Sequence, residues 1–552
     1  MKIVLSQLNY HVGNFTTNTD KIIAVLKKAE ADRVDLVVFS ELSICGYTPH
    51  DLLEQHDFLL KCNESLLQIA SNCTKVAAIV GAPTLNPEPK GKKLFNSACY
   101  LANGKIQTIV NKSLLPTYDI FDEYRYFEPG QNHDLLQFKG TRIALTICED
   151  LWDKQPSAYV SAKGALYKKS PMSELNKLKP DLIINIAASP FSYNQGEIRT
   201  RVLVENAQKY NLPIVYVNQV GAQTELIFDG DSMVLDAQGT IVKRMQRFQE
   251  DYLLIDTDTL KTAGYPALEA TPADYIAEIH DALVLGLRDY FAKMNFTKAT
   301  LGLSGGIDSA VTLALAAEAL GAENLQVLLM PSKYSSDHSI KDAVDLAETL
   351  GVKYHTIPIQ EPMDAMENVL AELFTGCSAD VTEENLQARI RGTLVMALSN
   401  KFGHILLNTS NKSEAAVGYG TLYGDMNGGL SVLGDVYKTD VFKLARYINR
   451  NSEIIPENSI VKPPSAELRP DQKDSDSLPE YDLLDAILFQ YIEQKLSASE
   501  IIAQGFEAEV VQKVLQLVNR NEYKRFQAPP ILRVSSKAFG FGRRMPLVAK
   551  YE

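Results

Sequence analysis

Short apolar runs of strand length alternate with amphipathic helical segments along this chain, and the alternation breaks once and then restarts. That pattern leaves few folds open. Alternating strands and helices build layered α/β domains, with helices covering the faces of largely parallel sheets. In the first run, Ile3 to Asn9, Asp35 to Ser40, Lys75 to Gly81, Thr141 to Ile147, Asp181 to Ala187 and Ile214 to Asn218 read as strands. Helices are expected at Thr19 to Asp32, with Ile22, Ile23, Leu26 and Ala29 on one face, and around Arg199 to Tyr210. Asn96 to Leu101 and Lys105 to Val110 flank Asn103-Gly104, the favoured two-residue hairpin turn. A second hairpin-like stretch ends near Leu254 and Asp256 and closes this half. Residues 257–274 are rich in Thr, Ala, Pro and Gly and read as a linker. The pattern then restarts with a helix at Tyr275 to Ala292, a strand at Thr300 to Leu303, a glycine turn and a helix at Asp308 to Leu320. Strands at Gln326 to Met330 and His404 to Asn408 follow, which implies a doubly wound parallel sheet. The expected domains are therefore 1–258 and 275–552, joined by 259–274. Residues 463–480, polar and proline-bearing, read as a mobile loop.

Composition narrows the function classes. At 45% hydrophobic and 22% charged residues the chain is ordinary globular protein. A net charge of -13 argues against binding nucleic-acid backbones, which needs a basic face. The 6 cysteines are scattered and form no Cys-x-x-Cys pair, so neither a disulfide framework nor a zinc site is expected. A reducing cytoplasm fits them best. The first residues, MKIVLSQ, do not read as a signal peptide, and no apolar run is long enough for a membrane span.

Two constellations carry chemistry. Glu41 and Cys148 each follow a strand's carboxyl end, and Lys112 follows the strand Ile106 to Val110. Ligands of α/β sheets bind at such ends. A thiol nucleophile needs a base, and an ammonium can stabilise the oxyanion of a tetrahedral intermediate. Together the three could hydrolyse an amide through a thioester. The stretches FSELSICGYTPHDL (39–52), NKSLLPTYDIFDEYRYFEPG (111–130) and TICEDLWD (146–153) resemble the three signature blocks of the nitrilase/carbon-nitrogen hydrolase superfamily, in order. The resemblance implies an αββα sandwich with Glu41 as general base, Lys112 as oxyanion stabiliser, Cys148 as nucleophile and Glu123 as the supporting second glutamate.

The second constellation is KATLGLSGGIDSAVTLALAAEAL (298–320), a strand, a glycine turn and a helix. Ser304, Gly305, Gly306 and Ser309 would direct N–H and hydroxyl groups at a phosphate on a helix N-terminus. The P-loop lysine is missing, and Asp308 makes sense there if it holds Mg2+. SGGIDS resembles the pyrophosphate-binding loop of the N-type ATP pyrophosphatases, whose domains are doubly wound, Rossmann-like parallel sheets. The stretches 328–352, 384–400, 406–448 and 463–482 resemble NAD synthetases. By that resemblance the loop Gly302, Leu303, Ser304, Gly305, Gly306, Ile307, Asp308 and Ser309, with Thr409, binds ATP. Asp308 and Glu414 hold Mg2+. Asn385, Glu414 and Lys524 hold nicotinic acid adenine dinucleotide, and Lys438 faces phosphate charge. Arg389 and Arg391 lie two apart on a helix, so at most one is expected to face a ligand and the other to be a solvated charge. Asp425 reads equally as a turn residue or a substrate contact.

The whole chain resembles the bacterial glutamine-dependent NAD synthetases. An amidase fused to an ammonia-consuming ligase has a direct logic, because ammonia freed into neutral water is mostly protonated and cannot attack an acyl adenylate. Tyr118 and Ser189 match the family's glutamine contacts. Where the family often carries a Gly-Lys pair, this chain has Asn194-Gln195-Gly196, leaving Gln195, Arg199 or Arg201 to serve. The resemblance implies a homo-oligomer with glutamine, ATP and the dinucleotide as small-molecule substrates. Another glutamine-dependent ATP-pyrophosphatase amidoligase is the alternative. An asparagine synthetase would need an N-terminal Cys where Lys2 stands, and a GMP synthetase a His beside its Cys.

Overall fold

The structure, a computed structural model, describes residues 1–153, 166–261 and 274–550. The chain divides into two units, Met1–Ala273 and Asp274–Glu552. Most of the expected linker, 262–273, lies outside the described residues. On its near side Thr259–Lys261 form one short helical turn. On its far side Asp274 caps the helix Tyr275–Met294, its carboxylate accepting the N–H groups of Ile276 and Ala277.

The strands of the first unit are β1 (Lys2–Gln7), β2 (Leu36–Val38), β3 (Ala77–Leu85), β4 (Leu94–Ala102), β5 (Lys105–Asn111), β6 (Leu136–Phe138) and β7 (Thr141–Ile147). They continue with β8 (Leu182–Ala187), β9 (Ile214–Asn218), β10 (Val220–Gln223), β11 (Leu226–Asp229), β12 (Met233–Leu235), β13 (Ile241–Arg244) and β14 (Asp251–Asp256). One sheet has the order β14-β1-β2-β3-β4-β5 and a second β13-β12-β9-β8-β7-β6. Successive side chains of a strand point to opposite faces, and here both faces are apolar. Ile3, Leu5, Leu36 and Val38 pack towards Ile143, Leu145, Ile183 and Ile184 of the other sheet. Val4, Val37 and Phe39 pack instead on Ile22, Leu26, Leu66 and Ile69 of the helices Phe15–Ala31 and His56–Asn72. Leu175 and Leu203, from the helices Pro171–Lys177 and Gln195–Tyr210, join the core of the second sheet. The layers are αββα, as the resemblance implied.

Three details correct the reading of the sequence. The stretch ending near Asp256 is no hairpin arm: β14 returns to pair antiparallel with β1, from Lys2↔Asp256 to Gln7↔Asp251. The helix expected from Arg199 begins at Gln195. The helix His56–Asn72 was not foreseen, because exposed Leu60 and Leu67 blur its apolar stripe of Phe58, Cys62, Leu66 and Ile69.

The second unit holds β15 (Ala299–Gly302), β16 (Leu325–Leu329), β17 (Lys353–Thr356), β18 (Ile405–Asn408) and β19 (Leu430–Ser431). All pair in parallel, in the order β17-β16-β15-β18-β19. This is a doubly wound sheet whose order reverses between β15 and β18, and ligands bind beyond the carboxyl ends at such a switch. A helical layer not foreseen from the sequence packs Leu484, Leu488, Val511 and Val514 against Ala416 and Val417. A buried ion cluster pins it down. Lys412 donates to Glu493 (3.0 Å), Ser535 (2.7 Å) and the carbonyl of Lys537 (3.0 Å), and lies 3.0 Å from Asp435. Burial alone would lower the Lys412 pKa, but the carboxylates of Asp435 and Glu493 raise it. Removing one partner strands buried charge, so Lys412→Met is expected to destabilise this unit by about 3–5 kcal/mol. A lowered urea midpoint for ATP-site unfolding checks this, and an unchanged midpoint contradicts it.

Candidate active sites

In the first unit four residues from separate elements meet. Glu41 follows β2, Lys112 follows β5, Glu123 opens the short helix Glu123–Tyr126, and Cys148 follows β7. The Lys112 ammonium donates to Glu41 Oε1 (2.7 Å) and Glu123 Oε1 (2.8 Å). Asn96 Nδ2 donates to Glu41 Oε1 (2.7 Å) and to Glu123 Oε2 (3.3 Å). Tyr47 donates to Glu123 (2.8 Å), and the Ala188 N–H to Glu41 Oε2 (3.0 Å). Glu41 and Lys112 are each 0% exposed, and Cys148 7%.

Burial in this company displaces the protonation equilibria of Cys148, Glu123 and Lys112. The Cys148 thiol is pushed well up, first by burial and then by Glu41, while Lys112 opposes. The resting sulfur is therefore a neutral thiol that needs a base at the moment of attack. Glu123 is raised to about 7 by burial, with Lys112 lowering it and Glu41 raising it again. Lys112 would be lowered by burial, yet the Glu123 and Glu41 carboxylates hold it well above the usual lysine value. The ammonium is thus charged and faces the cluster that surrounds the thiol.

Beside the nucleophile lies a residue the sequence reading passed over. Glu149 accepts the phenol hydroxyls of Tyr118 (3.0 Å) and Tyr167 (2.8 Å), and burial raises it to about 7. Its position directly after Cys148, inside TICEDLWD, was the available signal. Ser189 follows the Glu41-bonded Ala188, and its backbone is braced by Asn218. Gln195 opens its helix with its N–H on the Ser192 carbonyl. Of the two arginines considered in its place, Arg199 is engaged with Asp229 (2.6 Å) and Asp231 (2.8 Å) and is 1% exposed, while Arg201 lies exposed.

In the second unit a cavity of 330 Å3 opens beyond the carboxyl ends of β15 and β18. Gly302, Leu303, Ser304, Gly306, Ile307, Asp308 and Ser309 line it, with Thr409, Glu414 and Lys438. The turn is tied by its own side chains: Gly306 N–H donates to Ser304 Oγ (3.1 Å), and Ser309 Oγ to the Gly306 carbonyl (3.0 Å). Gly305, at φ +79°, must be glycine, because a Cβ would lie 2.0 Å from the Ser339 carbonyl oxygen. Asp308 accepts from Asn411 Nδ2 (2.9 Å) and from the Lys438 ammonium, which also donates to Glu414 (3.1 Å). Burial raises Glu414 to about 8, with Lys438 opposing and Asp308 reinforcing the shift. Both carboxylates are hard oxygen donors of the kind that bind divalent cations, and here the Lys438 ammonium bridges them.

Asn385 and Lys524 stand outside this lining. Asn385 accepts from Thr421 (2.7 Å), and Lys524 donates to the carbonyls of Gly418 and Gly420 (both 2.8 Å). Of the arginine pair, Arg391 lines the cavity, with its Nε on the Met330 carbonyl (3.0 Å), and burial lowers it to about 10. Arg389 is half-buried and bonded to the Leu422 carbonyl (3.2 Å), not a solvated charge. Asp425 and Lys462 also line the cavity; for Lys462 the sequence carried no special signal. The loop 463–480 contributes Pro463 to Leu468 and Asp474 to the wall, and Glu467 accepts from Ser336 (3.0 Å) and Ser339 (2.6 Å).

Comparison with known proteins gives a family for each unit. Residues 2–266 match the carbon-nitrogen hydrolase family and residues 279–528 the NAD synthase family. A glutamine-dependent NAD(+) synthetase from Synechocystis is 46% identical, covering 100% of this chain and 99% of its own. Another from Acinetobacter baylyi is 42% identical over 99% and 98%. The structure of the synthetase from Acinetobacter baumannii in complex with ADP aligns with a TM-score of 0.77 at 40% identity, covering 99% of this chain and 98% of that one. The synthetase of Cytophaga hutchinsonii shares the fold, with a TM-score of 0.83 at 21% identity over 100% and 98% of the two chains. Among the described residues no helix is long and apolar enough to cross a membrane.

Proposed function

The chain belongs to the glutamine-dependent NAD(+) synthetases, and from that premise we propose how its residues divide the work. The first unit hydrolyses glutamine to glutamate and ammonia. The second adenylates the carboxylate of nicotinic acid adenine dinucleotide with ATP, releasing pyrophosphate, and ammonia then displaces AMP to give NAD. The observation that carries the reading is that one chain holds both the Glu41–Lys112–Glu123 cluster beside Cys148 and the glycine turn with Asp308 and Glu414.

In the amidohydrolase step Glu41 takes the Cys148 proton as sulfur attacks the amide carbon. The Lys112 ammonium faces the carbonyl oxygen as it gains charge, an interaction stronger in the transition state than in the ground state. Collapse expels ammonia with the proton returned from Glu41, and water then cleaves the thioester. Glu123 and Asn96 hold Glu41 and Lys112 in register. Glu149, oriented by Tyr118, receives the α-ammonium of glutamine, and Ser189 and Gln195 complete the pocket. The loss of one charge-assisted bond costs about 1.5–3 kcal/mol, so Glu149→Gln is expected to raise the KM for glutamine about 10–100-fold. Ammonium-supported NAD formation stays at the wild-type rate. An unchanged KM for glutamine would remove Glu149 from the substrate pocket.

In the ligase step the turn Gly302 to Ser309 and Thr409 bind ATP, and Asp308 and Glu414 would hold Mg2+, which would supply positive charge against the phosphates. Lys438, between those carboxylates, faces the same phosphates. Asn385 and Lys524, outside the cavity lining, act on dinucleotide binding through the 418–427 loop they brace. A cytoplasmic location and a homo-oligomer accompany this reading; sedimentation velocity tests the second. The test of the whole is NAD formation from Mg-ATP and nicotinic acid adenine dinucleotide, with glutamine or ammonium as nitrogen donor. Glutamine hydrolysis without NAD from either donor would overturn the ligase assignment.

A further inference from the structure

The carboxylate of Asp150 joins the turn carrying Cys148 to the loop carrying Lys112. Its Oδ1 accepts the N–H groups of Ser113 (3.0 Å) and Leu114 (2.9 Å), and its Oδ2 accepts the N–H of Ile147 (3.1 Å). Two of these donors directly follow Lys112, and the third directly precedes Cys148. Lys112 comes off β5 of one sheet and Cys148 off β7 of the other, so this one side chain, 3% exposed, registers the two sheets where the site lies.

Both ends of the link need holding. Cys148 sits at φ +42°, a left-handed conformation that costs a non-glycine residue about 1–3 kcal/mol unless its surroundings impose it. The Asp150–Ile147 bond closes the short turn Cys148–Leu151 around that residue. The Lys112 main chain donates to the Asn96 carbonyl (2.8 Å) and accepts from the Gly130 N–H (2.8 Å). Gly130 permits that approach, since a Cβ there would lie 2.4 Å from the Asn111 oxygen. The next two N–H groups are those Asp150 takes.

We infer that Asp150 is a positioning residue of the amidohydrolase reaction, setting the Lys112 ammonium against the carbonyl that Cys148 attacks. The inference rests on the reading of Cys148 as nucleophile. Asp150 neither gains nor loses a proton in the cycle. Its two oxygens hold the geometry in which the S–C bond forms, the thiol proton passes to Glu41 and the displaced π electrons reach the oxygen beside Lys112.

Asp150→Asn in the full chain tests this, because the amide keeps the shape but has one acceptor and must turn its NH2 towards one set of N–H donors. Displacing reacting groups by about 1 Å can cost about 100-fold, so glutaminase kcat is expected to fall about 100-fold with KM within about threefold. Alkylation of Cys148 by iodoacetamide slows in step and shifts its pH midpoint, ammonium-supported NAD formation stays at the wild-type rate, and Asp150→Glu recovers part of the kcat. A wild-type kcat and alkylation profile for Asp150→Asn overturns the inference, as does an equal loss of glutamine- and ammonium-supported synthesis. If Asp150→Asn is recovered only as aggregate, Asp150→Glu decides alone: a lowered kcat at unchanged KM supports the inference, and a wild-type kcat overturns it. Wild-type enzyme that hydrolyses no glutamine would overturn the reading of Cys148 and this inference with it. Wild-type hydrolysis lost in Cys148→Ala but kept in Asp150→Asn would sink the inference alone.

Discussion

Cys148→Ala is expected to abolish glutamine as a nitrogen donor while leaving ammonium-supported NAD formation within about twofold of wild type. Removing a covalent nucleophile takes away the thioester route itself, and losses on the order of 10^4-fold or more are usual. The remaining Glu41, Lys112 and Glu123 could at most orient a water molecule. The alanine fills less space than the buried thiol but strands no polar partner, so folding is spared. The measurement is NAD formed with each donor at saturating Mg-ATP and dinucleotide. Glutamine-driven synthesis at the wild-type rate in the variant would place the nucleophile elsewhere. Because Glu41 is the base that takes the thiol proton, Glu41→Gln should slow Cys148 alkylation, even though loss of its charge by itself would lower the raised thiol pKa.

Asp308→Asn is expected to produce the mirror image. NAD formation falls on the order of 10^3-fold with either donor, because a metal ligand that helps neutralise phosphate charge is worth several kcal/mol. Glutamine hydrolysis persists. The asparagine keeps the shape but can accept from only one of Asn411 and Lys438, which both donate to Asp308 in the wild type, so the site loses a charge and one hydrogen bond. Steady-state NAD formation and AMP release with both donors read the ligase loss, and glutamate release reads the retained hydrolysis. Ammonium-supported synthesis within about tenfold of wild type would show that Asp308 holds no essential cation.

Much of this architecture was legible because its causes are local. The strand Thr141 to Ile147 agrees with its reading residue for residue. Asn103 and Gly104 both take positive φ, +53° and +72°, as their turn requires. SGGIDS dictates a turn by its glycine alone: at Gly305 no side chain fits. Where causes are distant the reading failed. Nothing in DYLLID announces that it pairs with residues near the start of the chain. Nothing in the solitary Lys412 foretells its buried carboxylates. Arg199 was considered for glutamine on the strength of its charge, and the structure gives that charge to Asp229 and Asp231. Asn385 and Lys524 lie outside the cavity lining, while Lys462, with no signal beyond a charge, lies within it; of the arginine pair, of which at most one was expected to face a ligand, Arg391 lines the cavity.

Strand and helix order, the break between two α/β units, the thiol, the glutamate and lysine candidates and the glycine turn are properties of the sequence, because short-range patterning and residue chemistry suffice to specify them. Tertiary structure alone decided which groups share a proton or a charge. Lys112 meets a Glu41 that is 71 residues away, and Lys438 an Asp308 that is 130 away. Only sheet order and register bring such groups together, and only their shared burial raises the Cys148 thiol, lifts Glu123 to about 7 and lifts Glu414 to about 8. Those energies depend on distance and solvent exclusion, and neither is written in a linear chain.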